Sequence, residues 1–452
     1  MKTNTKVTPR ILSGFMELLP AEQIAFEKMQ KIIRDTYESF GFVPLDTPVL
    51  ELSDVLLAKA GGETEQQIYR FKKGDTDLSM RFDLTVPLAR YVAQYQNDLS
   101  FPFRRYQISK VYRGERPQKG RFREFYQADI DIIGSENLNV LYDAEVPAIV
   151  YTTFKNLGLN NFCIRINNRK LLRGFYEFLN LQDQSVDILH LIDKIKKIGP
   201  DNVRACLNDL NIPVDKIDQI MDFTLIQGTN TYVLAQFKNW NITNESYTAG
   251  LTELESVCAA MRNLGVDESN YVLDPQIIRG LDYYTGTVYE TFVPGKESWG
   301  SICSGGRYDN LATNYTDRKL PGVGMGMGIT RLFDLFMADG IVNVGTSTRA
   351  DVLILPMDED TSYALQVSSA LRQSGVRAEV FLSNVKFKNK MNYANKTGVP
   401  FVAILGETER GENKVALKDM QTGTQELLEV KTAAQKLLTA RQTKDNNPFI
   451  KA

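Results

Sequence analysis

The sequence predicts an α/β protein. Its N-terminal part is α+β, with strands that carry polar faces and a helical stretch set among them; its C-terminal part is a separate α/β domain. Three observations predict this. Residues Phe101–Gly134 read as strand, basic loop, strand, with side chains alternating at period two. Residues 171–261, approximately, are patterned at helical spacing, broken at Pro213 and at Asn239–Ser246. After a small, polar linker at residues 338–349, short apolar strands alternate with helices.

Taken in order, Ala21–Phe40 places Phe26, Met29, Ile33 and Tyr37 at helical spacing, and a strand, Gly41–Val49, follows and ends near Pro48. In Ser79–Thr85 an extended chain puts Arg81, Asp83 and Thr85 on one face and Met80, Phe82 and Leu84 on the other. Pro87 then suits the first turn of a helix running to about Gln96. In Phe122–Ile133 one face carries Phe125, Gln127, Asp129 and Asp131, and the other Tyr126, Ala128, Ile130 and Ile132. The second is a core face. The first, an aromatic followed by amide and carboxylates, is poor core material and good material for a ligand site. The loop Gly114–Arg121 adds Arg116, Lys119 and Arg121 next to Arg113.

Leu138–Leu157 reads as a helix in which Pro147 marks a kink or break, and Phe162–Asn167 as a strand. A strand over Leu281–Phe292 begins just after Arg279 and carries Tyr283 and Tyr284. Gly322, Gly324, Gly326 and Gly328 recur at strict period two. A strand face made only of glycine is costly to order, and makes sense where a flat group lies on the backbone. Arg331 follows, near the start of a helix containing Leu332, Phe333, Leu335 and Phe336. The C-terminal pattern is strand Val352–Leu355, helix Thr361–Ser374, strand Ala378–Phe381, helix Lys388–Thr397, and strands Phe401–Leu405 and Lys414–Lys418.

Singly, these stretches fit solvated strand faces, surface loops and tight sheet packing. Together they supply carboxylates for an amine, arginines for phosphate, an aromatic to stack a base, and a glycine floor beneath it. Arginine suits the task because its planar fork pairs bidentately with phosphate and stays charged. Composition narrows the field further. With 452 residues there is room for two or three domains, and a net charge of −2 does not suit a general nucleic-acid binder; DNA is not expected as a partner. Any RNA contact must come from local patches. The four cysteines show no CxxC spacing and suit free thiols in a reducing cytosol. Lys2, Lys6 and Arg10 have no apolar run after them, and no stretch reaches the length of a membrane span, which predicts a cytoplasmic protein without a signal peptide. The only histidine, His190, sits in a helical pattern away from other catalytic groups, which argues against Ser-His-Asp and Cys-His chemistry. GxxxxGK[ST] is absent and GVGMGMG is not GxGxxG, so nucleotide binding must use an architecture other than a P-loop or a dinucleotide fold.

At these residues the chain resembles the histidyl-tRNA synthetases, a family of class II aminoacyl-tRNA synthetases. YRGERPQKGRFREFYQ resembles motif 2 and GVGMGMGITRL motif 3; RGLDYYTGTVYE and SGGRYD (Ser304–Asp309) resemble two signatures of the histidine-specific branch. RFDLTVPLARYV also matches, and SGFMELLP resembles the family's opening, with departures at Met16 and Glu17. The resemblance covers almost the whole chain. It implies a class II catalytic domain at 1–337, an antiparallel sheet flanked by helices with the helical insertion at about 171–261 approaching the tRNA acceptor stem. It also implies an anticodon-binding domain at 350–452. Ala21–Val49 resembles motif 1, which implies a homodimer. In the C-terminal domain Lys386, Lys388, Lys390 and Lys396, interleaved with Phe387 and Tyr393, make a reasonable RNA surface.

The implied activity is ATP-dependent activation of L-histidine, then transfer to histidine tRNA, with Mg²⁺ accompanying ATP. The implied site follows residue by residue. Asp83, Leu84, Thr85 and Gln127 belong to the histidine site, with Asp83, Thr85 and Gln127 on the amino group. Asp131 and Tyr284 read the imidazole, with Tyr283 beside them. Arg113 holds the α-phosphate and the substrate carboxylate, and Arg279 faces it across the reaction. Phe125 and Arg331 sandwich adenine, with Glu115 and Arg121 around the nucleotide. Asp83 and Asp131 stand where the commonest bacterial pattern has glutamate, and Gln118 is a candidate reader of the extra 5′ guanine of histidine tRNA. Two other functions fit a synthetase-like chain: a regulatory subunit of histidine biosynthesis, and a non-catalytic sensor of uncharged tRNA. The retention of Arg113, Arg279, Arg331 and residues 350–452 favours the enzyme.

Overall fold

The structure, a computed structural model, describes residues 6–59, 63–278, 284–445 and 449–450. The chain divides into two compact units, one of Met1–Met16 with Gln30–Asp339 and one of Glu17–Met29 with Gly340–Ala452. In the first unit the strands are β1 (Val43–Pro44), β2 (Leu50–Leu52), β3 (Arg70–Lys73), β4 (Thr76–Met80), β5 (Phe103–Tyr112), β6 (Glu124–Ile133), β7 (Cys163–Asn168), β8 (Tyr271–Leu273), β9 (Thr287–Phe292), β10 (Cys303–Tyr308) and β11 (Gly322–Gly328). Eight of them form one sheet in the order β1-β5-β6-β11-β10-β9-β7-β8, antiparallel except at its two ends, β1 on β5 and β7 beside β8. β2, β4 and β3 form a small separate sheet.

The central strands have two unlike faces. On one, Ala128, Ile130 and Ile132 of β6 and Val323, Met325 and Met327 of β11 are all buried, and the helix Tyr142–Leu157 packs against β11. The other carries the polar row anticipated from the alternation of β6. The two faces belong to the same strands because strand side chains alternate strictly.

Three sequence expectations are corrected. Gly41–Val49 is not one strand: only Val43–Pro44 pairs, in parallel with Arg105 and Tyr106. Pro44 has no N–H for a ladder and Pro48 ends extension, so the chain turns away and pairs again as β2. Extension stops at Met80, so Arg81–Leu84 is irregular rather than strand, and the helix after it begins at Thr85 with Pro87 in its first turn. Pro87 is tolerated there because first-turn N–H groups have no intrahelical partner. Pro147 does not break Tyr142–Leu157. Its missing N–H leaves the Asp143 carbonyl, four residues earlier, without its helical donor, and the Tyr289 hydroxyl donates to that carbonyl instead.

Residues 169–263 form helices Arg169–Phe178, Ser185–Ile192, Ile195–Ile198, Pro200–Asp209, Val214–Thr224, Asn230–Asn239 and Glu245–Asn263. The first is capped by Asn168, whose side chain accepts from Lys170 and Leu171 N–H, and the last by Asn244, which accepts from Tyr247 N–H. A stacked aromatic core of Phe175, Phe223 and Phe237 holds them. Within this group His190 is exposed on the Ser185–Ile192 helix.

The second unit holds a sheet of β12 (Val352–Pro356), β13 (Ala378–Val380), β14 (Phe401–Leu405), β15 (Lys414–Asp419) and β16 (Gln425–Glu429), in the order β13-β12-β14-β15-β16. Ile354, Val367, Leu371, Ala403 and Leu437 pack one face, and Leu353, Leu355, Ala394 and Val402 the other. β16 and the final helix, Val430–Asp445, were not anticipated.

Candidate active site

Register builds the site. Opposite Arg105, Gln107 and Ser109 of β5 stand Asp131, Asp129 and Gln127 of β6. On the other side of β6 these residues face Gly324, Gly326 and Gly328 of β11. β10 continues the sheet, with Gly306 beside Gly324 and Ser304 beside Gly326. A row of amide and carboxylate groups therefore borders a strip of backbone with little side chain on it.

The expectation that a flat group lies on all four glycines of β11 is corrected. A Cβ on Gly324 would collide with the Asp131 carboxylate, and one on Gly322 with the Tyr308 ring. On Gly326 it would come within 2.8 Å of Asp129 Oδ1 and 3.1 Å of Gln127 Nε2. These glycines make room for the protein's own polar side chains. Only around Gly328 is the approach looser, the nearest atoms to a Cβ being Arg331 Cβ at 3.8 Å and Ile302 O at 4.0 Å.

Asp131 is buried and held from two sides. Tyr308 donates its hydroxyl to Oδ1 at 2.6 Å, and Arg105 Nη2 lies 2.6 Å from Oδ2. The alignment of that second contact is too oblique for a hydrogen bond, so it is an ion pair only. Arg105 is itself fully buried and also donates from Nη2 to Leu84 O at 3.0 Å. Burial lifts the Asp131 carboxyl to about 6, against the pull of Arg105 and the Tyr308 hydrogen bond. Burial likewise pushes Asp129 well above the carboxylate range, with Arg105 and Arg113 opposing and Asp131 and Asp83 reinforcing. Asp83 is raised by burial too, opposed first by its hydrogen bond from Val86 N–H, at 3.0 Å, and then by Arg113. That bond caps the Thr85–Tyr95 helix from outside and fixes the carboxylate beside half-buried Thr85. Leu84 is fully buried; the polar group it offers is the carbonyl that holds Arg105.

Arg113 donates from Nε to Phe82 O at 3.0 Å and its guanidinium lies 5.1 Å from the centre of the Phe125 ring. Arg331 is anchored in its plane by Nε to Gly120 O and Nη1 to Ser301 O, both 2.7 Å. Gly120 turns the loop with φ +67°, and a side chain there would strike Trp299. Phe125 and Arg331 reach the same end of the site, because Tyr126 N–H donates to Thr330 Oγ1 at 2.8 Å. In the loop, Arg121 pairs with Glu115 at 3.1 Å and Lys119 lies over Trp299. Gln118 is exposed and bridges to Arg121. Tyr284 lies against Gly306 and packs with Tyr308 and Ala89. Its neighbour Thr285 is tied by its hydroxyl to Asp309 at 2.5 Å and by its N–H to Arg307 O at 2.8 Å. Arg279 and Tyr283 lie outside the described residues.

Two residues from the sequence reading have framework roles instead. Arg81 is buried and donates to Lys110 O, Thr47 O and Asp46. Lys390 is buried, with Nζ on Pro356 O at 2.6 Å, so it leaves the basic surface to exposed Lys386, Lys388 and Lys396; Tyr393 bonds Glu379. Sequence reasoning missed Arg105, Tyr308 and the Arg307–Asp143 pair. Arg105, Gln107 and Ser109 share a parity in β5, the same signal that exposed the row in β6, and would have found the first.

The histidyl-tRNA synthetase family model matches residues 14–332, and an anticodon binding domain model matches residues 351–440. A histidine–tRNA ligase of Clostridium tetani is 53% identical over 428 residues, covering 94% of this chain and 97% of the relative. One from Finegoldia magna is 46% identical over 95% of this chain and 100% of its own length. A crystal structure of histidyl-tRNA synthetase from a Nostoc species matches with a TM-score of 0.88 at 39% identity, covering 96% of this chain and 100% of that one. A structure titled as an ATP phosphoribosyltransferase regulatory subunit/histidyl-tRNA synthetase, from Bacillus halodurans, shares the fold at 20% identity and a TM-score of 0.73 over 86% of this chain and 97% of that one. With a family model spanning the whole eight-stranded sheet and relatives aligned nearly end to end, this chain belongs to the histidyl-tRNA synthetase family.

Proposed function

We propose that the chain activates L-histidine with ATP and passes the histidyl group to the 3′ end of histidine tRNA. One observation carries the reading furthest: half-buried Gln127 and buried Asp129 and Asp131 form one row, and Asp129 lies within electrostatic reach of both Arg113 and Asp83. The row offers acceptors for an ammonium and an imidazole N–H, and Arg113 offers a cation for carboxylate and phosphate.

In the first step a histidine carboxylate oxygen attacks the α-phosphorus of ATP, and the bond to the β-phosphate oxygen breaks, releasing pyrophosphate. Such in-line displacement needs positioning and charge neutralisation more than covalent help. Asp83, Thr85 and Gln127 hold the ammonium. Asp131 accepts from one imidazole nitrogen, and the Tyr284 hydroxyl meets the other. Arg113 draws carboxylate and α-phosphate together, with Arg279 opposite by resemblance. Adenine stacks between Phe125 and the face of Arg331, whose in-plane anchors leave that face oriented for it. Glu115 and Arg121 border the nucleotide. Magnesium enters with ATP as part of the substrate; among the described residues no group of three His, Cys, Asp or Glu is arranged to cage an ion. In the second step the terminal ribose hydroxyl attacks the activated carbonyl and AMP leaves. We further read the protein as a cytoplasmic homodimer through Ala21–Val49, with residues 350–452 on the anticodon through Lys386, Phe387, Lys388 and Lys396. Among the described residues no helix is long and apolar enough to cross a membrane.

Histidine-dependent exchange of pyrophosphate into ATP without tRNA tests this directly; a regulatory subunit or a tRNA sensor gives none. Deleting residues 350–452 should leave that exchange largely intact and severely impair tRNA charging. Loss of exchange from a folded truncation refutes that division of labour.

Asp131→Ala should raise the KM for histidine roughly 10- to 100-fold and change the KM for ATP little, since an imidazole N–H loses its buried acceptor at a cost of about 1–3 kcal/mol. The acceptor is the ionised carboxylate, so histidine binding weakens as pH falls through about 6. Asp131→Asn cannot titrate and should remove that limb, leaving only the substrate's own ionisation. The sign for the unliganded fold is opposite. A raised folded pKa means this group's contribution to stability is present below its unfolded value and lost as pH rises through about 6. An unchanged histidine KM in Asp131→Ala removes the assigned role.

A further inference from the structure

We propose that Asp129 is a positioning residue for the substrate's amino group: it holds the Gln127 amide by its NH₂ end, turning the amide oxygen to the ammonium. The inference deepens the reading of the site given above and rests on it. Asp129 is 2% exposed and shares its strand face with Gln127 and Asp131. Gln127 Nε2 donates to Asp129 Oδ1 at 3.3 Å. The other end of that amide, Gln127 Oε1, is buried and has no hydrogen-bond partner among the described residues. A buried acceptor left empty is costly unless something fills it, and the group that fills it must be a donor.

The neighbours explain why the pair survives. Gly326 stands beside Asp129 in the register, and any side chain there would press on both Asp129 Oδ1 and Gln127 Nε2. The close ion pair of Arg105, at 2.6 Å, is with Asp131; on Asp129 it acts only at longer range and does not overcome the cost of burial. Burial and the adjacent carboxylates Asp131 and Asp83 disfavour ionisation of Asp129 while the site lacks a substrate cation. An arriving ammonium supplies the missing positive charge. Once ionised, Asp129 can only accept, which selects the NH₂ end of Gln127 and presents Oε1 to the ammonium. Asp129 thus acts on the substrate through Gln127, and Gln127 touches it.

The test compares the full chain with Asp129→Asn, which keeps the shape but offers an NH₂ of its own and allows the Gln127 amide to turn over. Pyrophosphate exchange gives the KM for histidine and for ATP. Inhibition is read with L-histidinol, which has the amine and the imidazole, and with 3-(imidazol-4-yl)propanoate, which lacks the amine. The histidine KM and the histidinol inhibition constant should each rise about 10-fold, the scale of one charge-assisted hydrogen bond. The ATP KM and the inhibition constant of the des-amino acid should stay within about twofold. Gln127→Met should give the same amine-specific loss, and adding Asp129→Asn to it should cost little more, because one residue works through the other. Equal losses for both inhibitors, no loss, or additive losses overturn the assignment. If Asp129→Asn does not fold, an equal loss for both inhibitors in Gln127→Met overturns it alone. Absence of exchange in the unmodified chain overturns the functional reading, and the assignment with it.

Discussion

Arg113→Ala slows single-turnover formation of the adenylate by on the order of 100-fold or more while the protein stays folded. The guanidinium is half-buried, donates a hydrogen bond to Phe82 O, and lies over Phe125. Those contacts orient it without making it part of the core, so its removal should shift the unfolding midpoint only slightly. Its effect lies in the reaction. Negative charge accumulates on the α-phosphate during attack, and a preoriented cation stabilises that state more than the ground state. The loss should therefore appear in the rate at saturating histidine and ATP, not only in KM. Lysine should restore part of the activity, since it keeps the charge and lacks the planar fork. A near-normal adenylation rate in folded Arg113→Ala eliminates the role.

The largest effect on stability is expected at Arg307. Its Nε lies 3.0 Å from both carboxylate oxygens of Asp143, its Nη2 donates to Oδ1 at 2.6 Å, and its other N–H groups meet Leu138 O and Asn139 O at 3.1 Å. Asp143 is fully buried. Arg307→Met leaves that carboxylate buried without its cation, at a cost of about 3–5 kcal/mol. Replacing both, as Arg307→Met with Asp143→Leu, should recover much of the loss, because the pair's own net worth is small once desolvation is counted. Urea unfolding of both variants measures this; a double variant as unstable as the single one contradicts it. Histidine binding should suffer as well, because Arg307 lies between Gly306, which packs on Tyr284, and Tyr308, which holds Asp131.

The polar row of β6 was legible in the sequence because strand alternation is local: parity alone separates Gln127, Asp129 and Asp131 from Ala128, Ile130 and Ile132. The meaning of the β11 glycines was not legible, because it depends on which strand lies beside them. Only the register with β6 shows that Gly324 and Gly326 yield space to Asp131 and Asp129. Pro147 misled for a similar reason. The tyrosine that satisfies the carbonyl it orphans is 142 residues further along, at Tyr289. Arg81 carried the right chemistry for a ligand, yet its carbonyl partners come from Thr47 and Lys110, and nothing local to RFDLT announces them. The second unit was read well where apolar runs were short and bounded, as at Val352–Leu355, which the structure extends by one residue to Pro356. It was missed at β16, where Gln425–Glu429 is largely exposed and carries little apolar signal.

His190 has a consequence of another kind. It is the single histidine in 452 residues, exposed on a helix far along the sequence from every residue assigned to the site. Translating these 452 residues therefore draws on one charged histidine tRNA. When histidine runs short and the charged pool falls, these 452 residues offer a single codon at which translation would wait. On the function proposed above, the chain would be sheltered, by its own composition, from the shortage it relieves. An exposed helical position tolerates glutamine, so the last such codon could be removed at little structural cost.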